Sequence, residues 1–447
     1  MTKPAGRSPL VILFFVVFLD LLGFGIVIPI LPYYAKEYGS DARTLGLLLA
    51  VYSAMQLVFA PLWGRLSDER GRRPILVATI LGQSASLVVL GFAPSLAWLF
   101  VGRALAGICG ANLSTAAAYI ADVTPEEGRA RGMGVLGAGF GLGFIFGPAL
   151  GGLLAHWGHG TPMFVAAGLS FLAGVFAWAR LPEPPLAREE RRLHRRRFDR
   201  AAVKEALGDS RTRIAVLLFV LLTLAATQTE TAFALFVQAR HGYGAPQAGL
   251  LLGLTGLVMA GVQGGLIGPL TRRFGEAWLA AAGALALAVG LVGLATLPVA
   301  ALLPAALAFL GLGMGLTHPS LQSLASRGAA PGRQGETMGV YQSAGSLARI
   351  AGPPVGGFLY DVLGIQVPFL AAAALSLLAC FVIVAWSARD FVREATATFR
   401  QGGFRGALQR YGWKLFAAFF LYYLVRDVTL YIVLPYLAAR GALSLWR

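Results

Sequence analysis

The sequence predicts an all-α membrane protein built as two six-helix bundles related by a pseudo-two-fold axis. Three observations lead to this fold class. Of the 447 residues, 57% are hydrophobic and only 13% are charged, about half the charged share of a soluble domain. The apolar residues form runs long enough to cross a bilayer. Motifs in the first half of the chain recur in the second half.

Apolar runs of about 20 residues predict membrane-crossing helices. Twelve runs qualify: 10–31, 44–63, 75–93, 97–120, 132–155, 162–181, 214–237, 247–270, 277–298, 300–324, 336–358 and 365–388. The first run is too long for a signal peptide and is interpreted as an uncleaved helix. A thirteenth candidate, 415–438, is interrupted by Arg426 and Asp427. It is interpreted as an extra span packed on the bundle, with a helix at the membrane surface as the alternative.

Basic residues alternate between the loops. One set of loops holds 28 Lys and Arg, and the opposite set holds only Lys36, Arg43 and Arg240. The positive-inside rule predicts a cytoplasmic N-terminus in a cytoplasmic (inner) membrane. The longest basic loop divides the spans six and six. It predicts bundles at 1–181 and 214–388, a linker at 182–213, and a tail at 389–447.

The charge and the cysteines exclude several function classes. The net charge of +16 lies in short loops between apolar runs, which argues against nucleic-acid binding. Residues 188–213 either contact anionic lipids or form a solvated linker that orients the chain. Cys109 and Cys380 fall inside apolar runs, and no metal-ligand spacing, P-loop or nucleophile elbow appears. We therefore expect a monomer with no metal and no cofactor, which is not an enzyme.

An internal repeat supports the two-bundle fold. Span five carries Gly147-Pro148 and Gly151-Gly152, and span eleven carries the same pattern 205 residues later at Gly352-Pro353 and Gly356-Gly357. The loops after spans two and eight share a glycine pattern at an offset of 204 residues. Two repeats with a site between them near the membrane midplane are typical of transport by alternating access. A duplicated scaffold without transport is the alternative.

The loop at 64–74 predicts a conformational gate. Gly64 and Gly71 permit a tight turn, and Asp68 is expected to cap the next helix. Arg72 is expected to pair with Asp122 at the end of span four. Such ion pairs can hold one conformation and break in another. A basic loop that only orients the chain is the alternative.

Span five presents a glycine face. Gly143, Gly147 and Gly151 recur at every fourth residue, followed by Gly152, and Pro148 interrupts the same helix. Glycines allow a neighbouring helix to approach closely, and proline bends or loosens a helix. The pattern predicts a contact at which two bundles rock, or simple close packing.

Four charges fall inside the predicted spans. Insertion of such a charge costs about 2.5–3.5 kcal/mol, so each is a functional candidate. Depth along the helices suggests that Asp20 pairs with Arg103 and that Glu230 pairs with Arg349. We expect the carboxylates of Asp20 and Glu230 to bind and release a proton, with Arg103 and Arg349 as counter-charges and static ion pairs as the alternative.

Polar residues inside the spans are candidates for a substrate cavity, and interhelical hydrogen bonds are the alternative for each. They are Gln56, Asn112, Gln228, Gln322 and Gln342.

The motifs together resemble one family over residues 10–388. The loop at 64–74 looks like the signature loop of the major facilitator superfamily, and Gly102-Arg103-x-x-x-Gly107 resembles its span-four motif. The glycine face of span five is similar to the motif of the antiporter branch. Asp20-Leu21-Leu22-Gly23-Phe24-Gly25 resembles twelve-span drug/proton antiporters, and Tyr119-Ile120-Ala121-Asp122 resembles tetracycline exporters. Glu230, Arg349 and the tail depart from that pattern.

The resemblance implies a secondary transporter that uses the proton gradient to export small amphipathic, drug-like compounds. A symporter or uniporter for a sugar or another metabolite is the alternative. A membrane sensor or accessory subunit that does not transport is a third hypothesis, which the charges inside the membrane disfavour.

Overall fold

The computed structural model describes residues 7–110, 112–124, 129–184, 200–329 and 333–388, together with six single residues of the tail. All regular structure in these ranges is helical. Helices coincide with the twelve predicted spans. They are Arg7–Glu37, Ala42–Arg70, Arg72–Gly91, Leu96–Cys109 with Asn112–Val123, Arg129–Leu154, Gly160–Arg180, Ser210–His241, Ala245–Gly261 continued by Ile267–Phe274, Glu276–Thr296, Leu303–Arg327, Gln334–Leu363 and Val367–Ala388.

Most helices extend beyond the predicted spans, because the apolar runs mark only the part that lies in hydrocarbon. By length and composition, nine helices among the described residues can cross a membrane. Span four instead consists of two shorter helices, the first of which ends at Cys109 and is followed by Gly110. The thirteenth candidate at 415–438, apart from single positions, and residues 185–199 of the basic linker lie outside the described residues.

Two compact units make up the chain. Unit 1 comprises Met1–Asp199, Thr227–Ala260 and Ser346–Pro368, and unit 2 comprises the remaining segments. Spans seven, eight and eleven each continue from one unit into the other. In span eight the change falls beside a π-helical turn at Val262–Leu266, a feature that locally interrupts the α-helical ladder. The bundle boundaries at 1–181 and 214–388 stay a prediction.

The core of unit 1 joins spans one, three, four and six. Leu13, Leu76, Tyr119 and Ala173 are fully buried members of one apolar cluster. The Tyr119 hydroxyl donates to the Pro182 carbonyl at 2.6 Å, so its polar end is satisfied where the cluster reaches the chain after span six.

In unit 2, spans nine and ten pack through glycine. A Cβ atom added to Gly283 would lie 2.9 Å from the Gly313 carbonyl oxygen. The two helices lie too close together to leave room for a side chain at Gly283. Small residues allow this close packing of helices in lipid. Elsewhere in unit 2, Phe219 and Tyr341 stack with ring centroids 4.1 Å apart.

Candidate functional site

Asp20 in span one is held by an amide. The Asn112 Nδ2 atom lies 3.1 and 3.0 Å from the two carboxylate oxygens of Asp20. Asn112 is the first residue of the second helix of span four. The predicted pair of Asp20 with Arg103 does not form in this structure. Arg103 lies nine residues before Asn112, about 14 Å along a helix, so a neutral donor takes its place beside Asp20.

Arg103 is buried, and few contacts offset the cost of burying its charge. Its side chain is only 6% exposed, and its Nε atom has no hydrogen-bond partner. Among the described residues, no group accepts a hydrogen bond from Arg103 or forms an ion pair with it within 4.0 Å. Its guanidinium carbon lies 4.5 Å from the centroid of the Tyr52 ring, a cation–π contact with span two.

Glu230 lies midway along span seven, yet its side chain is exposed, whereas Thr227, Gln228 and Thr231 around it are buried. Arg349 and Arg103 both act electrostatically on its carboxylate. The Arg349 Nη2 atom also donates to the Ser346 hydroxyl at 3.2 Å. The predicted pair of Glu230 with Arg349 stays a prediction.

Aromatic rings line the same region, and sequence reasoning missed them. The Phe24 ring centroid lies 5.5 Å from that of Tyr52 and 6.3 Å from that of Phe144. Only a weak signal in the sequence could have identified Tyr52 as part of this region. Tyr52 precedes the predicted cavity residue Gln56 by one helical turn and therefore lies on the same helix face.

The predicted cavity residues divide between the two units. Gln56 donates from Nε2 to the Gly110 carbonyl at 2.5 Å, which matches the alternative of an interhelical hydrogen bond. Gln228 is buried in unit 1, and its Oε1 atom is unpaired. Gln322 and Gln342 have exposed side chains in unit 2. Within unit 1 the structure thus gathers Asn112 and Gln56 around the break in span four.

A cluster of ion pairs forms where span two meets span three. The Arg72 Nη1 atom lies 2.6 Å from the Asp68 carboxylate, and its Nε atom lies 2.9 Å from the Asp122 carboxylate. Arg72 also donates to the Ser67 hydroxyl at 2.7 Å. We call Asp68, Arg72, Asp122 and Glu183 the clasp. Its Arg72–Asp122 contact is the one that the sequence suggested.

Glu183 supplies the helix cap that sequence reasoning assigned to Asp68. The backbone N–H groups of Arg72 and Arg73 donate to the Glu183 carboxylate at 2.8 and 2.9 Å. An anion is stabilised there because the first N–H groups of a helix lack partners. The predicted cap by Asp68 is wrong, because span two continues to Arg70 and holds Asp68 in its last turn.

The turn between spans two and three rests on Gly71 alone. Gly71 has a φ of 112° and a ψ of 154°, a region open essentially to glycine. A Cβ atom at Gly71 would also lie 2.6 Å from the Glu183 Oε1 atom. Gly64, the other predicted turn residue, lies inside the helix of span two.

Span five uses its glycines on two faces. A Cβ atom at Gly143 would lie 2.8 Å from Leu21, and one at Gly147 would lie 2.7 Å from the Gly25 backbone. Gly151 likewise approaches Ile26, so the predicted face packs on span one. On the other face, a Cβ atom at Gly152 would lie 2.7 Å from the Ala245 carbonyl oxygen, in span eight. Pro148 lies between the two faces, inside the helix.

A second set of contacts joins the two sequence repeats within unit 1, at the membrane side opposite the start of span one. The Arg43 backbone N–H donates to the Asp361 carboxylate at 2.9 Å. Lys36 donates to the Gln238 side chain at 2.8 Å. Gly46 packs on the Pro353 backbone, and Gly356 packs on Gln228. We call these contacts the far-side seal.

Comparison with known families agrees with this geometry. The chain matches the family model of the Major Facilitator Superfamily over residues 13–353, and again over residues 265–444. The chain belongs to the Major Facilitator Superfamily. The resemblance in its motifs is thereby confirmed, as is the all-α fold of two related six-helix bundles. This membership makes the chain a multi-pass secondary transporter rather than an enzyme.

Curated relatives place the transporter in the drug/proton antiporter branch. It is 35% identical to the class E tetracycline resistance protein of Escherichia coli over 353 residues, which cover 77% of this chain and 86% of the relative. It is 30% identical to multidrug resistance protein 1 of Bacillus subtilis (strain 168) over 383 residues, which cover 85% and 96%.

Solved structures share the fold. The human organic anion transporter MFSD10 (TETRAN) superposes with a TM-score of 0.64 at 25% identity, covering 85% of this chain and all of that one. The nucleoside transporter NupG superposes with a TM-score of 0.70 at 12% identity, covering 85% of this chain and 98% of that one. The second likeness concerns the fold alone.

Proposed function

We propose that this transporter exports small amphipathic compounds from the cytoplasm in exchange for protons. The drug class is supported by the relatives, whose names describe tetracycline resistance and multidrug resistance. The energy source is the proton gradient, and no cofactor takes part. The observation that carries the proton role is the position of Asp20, a carboxylate in the middle of an apolar helix with an amide as its partner.

Asp20 is the first candidate for proton coupling and Glu230 the second. A charged carboxylate inside the membrane is costly, so it persists only where it is used or compensated. The Asn112 amide satisfies the Asp20 oxygens without fixing their charge, whereas a guanidinium would favour the charged form. Protonation can therefore change the charge at Asp20, and it drives transport only if that change shifts the balance between conformations.

The clasp and the far-side seal are the candidate gates of alternating access. The clasp combines the ion pairs of Arg72 with the helix cap by Glu183, and water and rearrangement can break both. The seal joins spans one and two to spans seven and eleven through hydrogen bonds and a close backbone approach at Gly46. Opening the far side requires separation of these contacts, while Asp68, Arg72 and Asp122 hold the ends of spans two to four. Gly64 and Gly71 belong to the same gate.

The distribution of basic residues supports a membrane location, an orientation and a lipid contact for this protein. The excess of Lys and Arg in one set of loops supports an inner-membrane protein with a cytoplasmic N-terminus. The basic residues of 188–213 support a contact with anionic lipids on that side. The protein acts as a monomer on a small-molecule substrate and binds no nucleic acid.

The test is transport by the full chain in sealed vesicles. A panel of fluorescent drug-like dyes is followed with and without an imposed pH difference. We expect wild-type protein to concentrate at least one dye only when the pH difference is present. Asp20→Asn should abolish this concentration while retaining dye binding. Glu37→Gln is the matched control, because it removes a carboxylate from the end of the same helix.

Continued concentration by Asp20→Asn would remove Asp20 from the coupling role. Continued concentration by both Asp20→Asn and Glu230→Gln would overturn proton exchange at these sites and favour a uniporter. Equilibration of dyes by wild-type protein, with no response to the pH difference, would overturn the proposed function as a whole.

A further inference from the structure

Among the described residues, Arg103 has no acidic partner within 4.0 Å, although a buried arginine usually has one. Buried polar groups almost always have hydrogen-bond partners, and a charge inside the bilayer is costly. Arg103 is only 6% exposed, and its Nε atom is unpaired. The Tyr52 ring covers one face of the guanidinium. The hydrogen-bond donors lie along the edge of the guanidinium plane, so a ring against its face does not satisfy the unpaired Nε donor.

Among the described residues, neither acidic group of this region pairs with Arg103 within 4.0 Å. Asp20 is directed at Asn112, and its two carboxylate oxygens accept from the Asn112 amide. Glu230 acts on Arg103 electrostatically but does not contact it. An anionic ligand would both neutralise the Arg103 guanidinium and satisfy its unpaired Nε donor.

We infer that Arg103 binds an acidic group of the transported compound, and that the aromatic part of the compound lies beside Phe24 and Tyr52. This inference rests on the proposed function and names the class of its substrates. A guanidinium donates two parallel hydrogen bonds to a planar carboxylate, with geometry that selects such a group. The rings of Phe24, Tyr52 and Phe144 provide an apolar wall at the same place.

A structural role for Arg103 predicts a different result. If its cation–π contact only fixes span two against span four, removal of the arginine weakens folding and the binding of all compounds equally. If Arg103 binds an acid, removal affects acids selectively. A compound pair that differs only at the carboxylate separates these roles.

The probes are coumarin-3-carboxylate and its methyl ester, bound to the purified full chain and measured by quenching of protein fluorescence. We expect wild-type protein to bind the acid about tenfold or more tightly than the ester, as suits a charge-assisted hydrogen-bonded pair. Arg103→Gln should abolish this preference, so that acid and ester bind about equally. Arg103→Lys keeps the positive charge but lacks the two parallel N–H donors, so it should retain part of the preference for the acid.

Arg180→Gln is the control, because it removes an exposed arginine at the end of span six. It should leave the preference for the acid intact. Equal binding of acid and ester by wild-type protein, or no binding of the acid, would overturn the inference even if Arg103→Gln fails to fold. An equal loss of both compounds in a folded Arg103→Gln protein would also overturn it.

Transport separates this inference from the proposed function. Dye export that depends on a pH difference, combined with no preference for the acid, overturns the acid site alone. A preference for the acid that Arg103→Gln removes, combined with no response of transport to pH, overturns proton exchange alone.

Discussion

Two ion pairs at equivalent positions of the sequence repeat have opposite polarity. In the first repeat, Arg72 follows Gly71 and pairs with Asp122 at 2.9 Å. In the second repeat, Glu276 follows Gly275 and pairs with Arg327 at 2.6 Å. The members of the second pair lie 204 and 205 residues after those of the first. The repeat has therefore kept the place of the pair and reversed its charges.

The two pairs also differ in their surroundings. Arg72 and Asp122 are 12% and 13% exposed, and Asp68 contacts the same arginine. In the second pair Arg327 is 62% exposed, although Glu276 is 12% exposed and accepts from the Ser323 hydroxyl. Exposed ion pairs contribute little, whereas the loss of one partner from an enclosed pair leaves an uncompensated charge. Although the two ion pairs occupy equivalent positions in the repeat, we expect them to contribute unequally to stability.

The largest expected difference concerns the glycines before the two pairs. Gly71 and Gly275 have φ values of 112° and 82°, so alanine at either position costs about 1–3 kcal/mol in backbone strain. Only at Gly71 does the new Cβ atom also meet Glu183, at 2.6 Å, whereas nothing lies within 4 Å at Gly275. Gly71→Ala should lower the midpoint of thermal unfolding in detergent more than Gly275→Ala. Equal shifts would mean that Glu183 does not fix this turn.

Removal of the arginine from each pair should have the next largest effect. Arg72→Gln removes the cation that contacts both Asp68 and Asp122, and we expect a loss of about 3 kcal/mol. Arg327→Gln removes an exposed partner and should cost about 0.5–1 kcal/mol. Double-mutant cycles with Asp122→Asn and Glu276→Gln measure both couplings in detergent. A coupling at Arg327 as large as that at Arg72 would contradict the role given to burial.

Exchange of the positive and negative members of the first ion pair tests whether transport tolerates either arrangement of the charges. Arg72→Glu combined with Asp122→Arg gives the first pair the charges of the second. We expect this double variant to transport poorly, because Asp68 would then lie beside a new carboxylate. The addition of Asp68→Arg, which copies Arg272 of the second repeat, should restore part of the activity. Full activity of the double variant would show that Asp68 does not constrain the pair.

The smallest expected effect is the response to salt. At about 1 M ionic strength the Debye length falls to about 3 Å, which weakens exposed pairs more than enclosed ones. The coupling of Arg327 with Glu276 should therefore fall by a larger fraction than that of Arg72 with Asp122. Measurement of both double-mutant cycles at low and high salt decides this. The opposite ranking would mean that water reaches the first pair as freely as the second.

The fold was predictable from sequence because membrane-spanning helices need long apolar runs, and these runs are local in the chain. The repeat and the glycine face of span five were visible for the same reason. Arg72 and Asp122 were recognisable as partners, since both lie at helix ends on one membrane side. The helical continuation past Gly64 was not visible, because a polar stretch of Ser67, Asp68 and Glu69 extends the helix without extending the apolar run.

The contacts that sequence reasoning missed depend on segments far apart in the chain. Glu183 was seen only as part of a basic, proline-rich linker, yet it caps a helix that begins 111 residues earlier. The distribution of charges between Asp20, Arg103 and Glu230 also required the structure. Depth along a helix gives height in the membrane but not the direction around the helix axis, and that direction placed Asn112 beside Asp20.

The two glycine faces of span five have a mechanical consequence. Gly143 and Gly147 meet span one, and Gly152 meets span eight, with backbone against backbone rather than interlocked side chains. Helices that interlock through large side chains must change rotamers in order to slide. Glycine has no rotamer to reset, so at these positions a small shear movement along span five requires no change of side-chain conformation. The temperature dependence of transport should therefore steepen when a single methyl group is added to this interface.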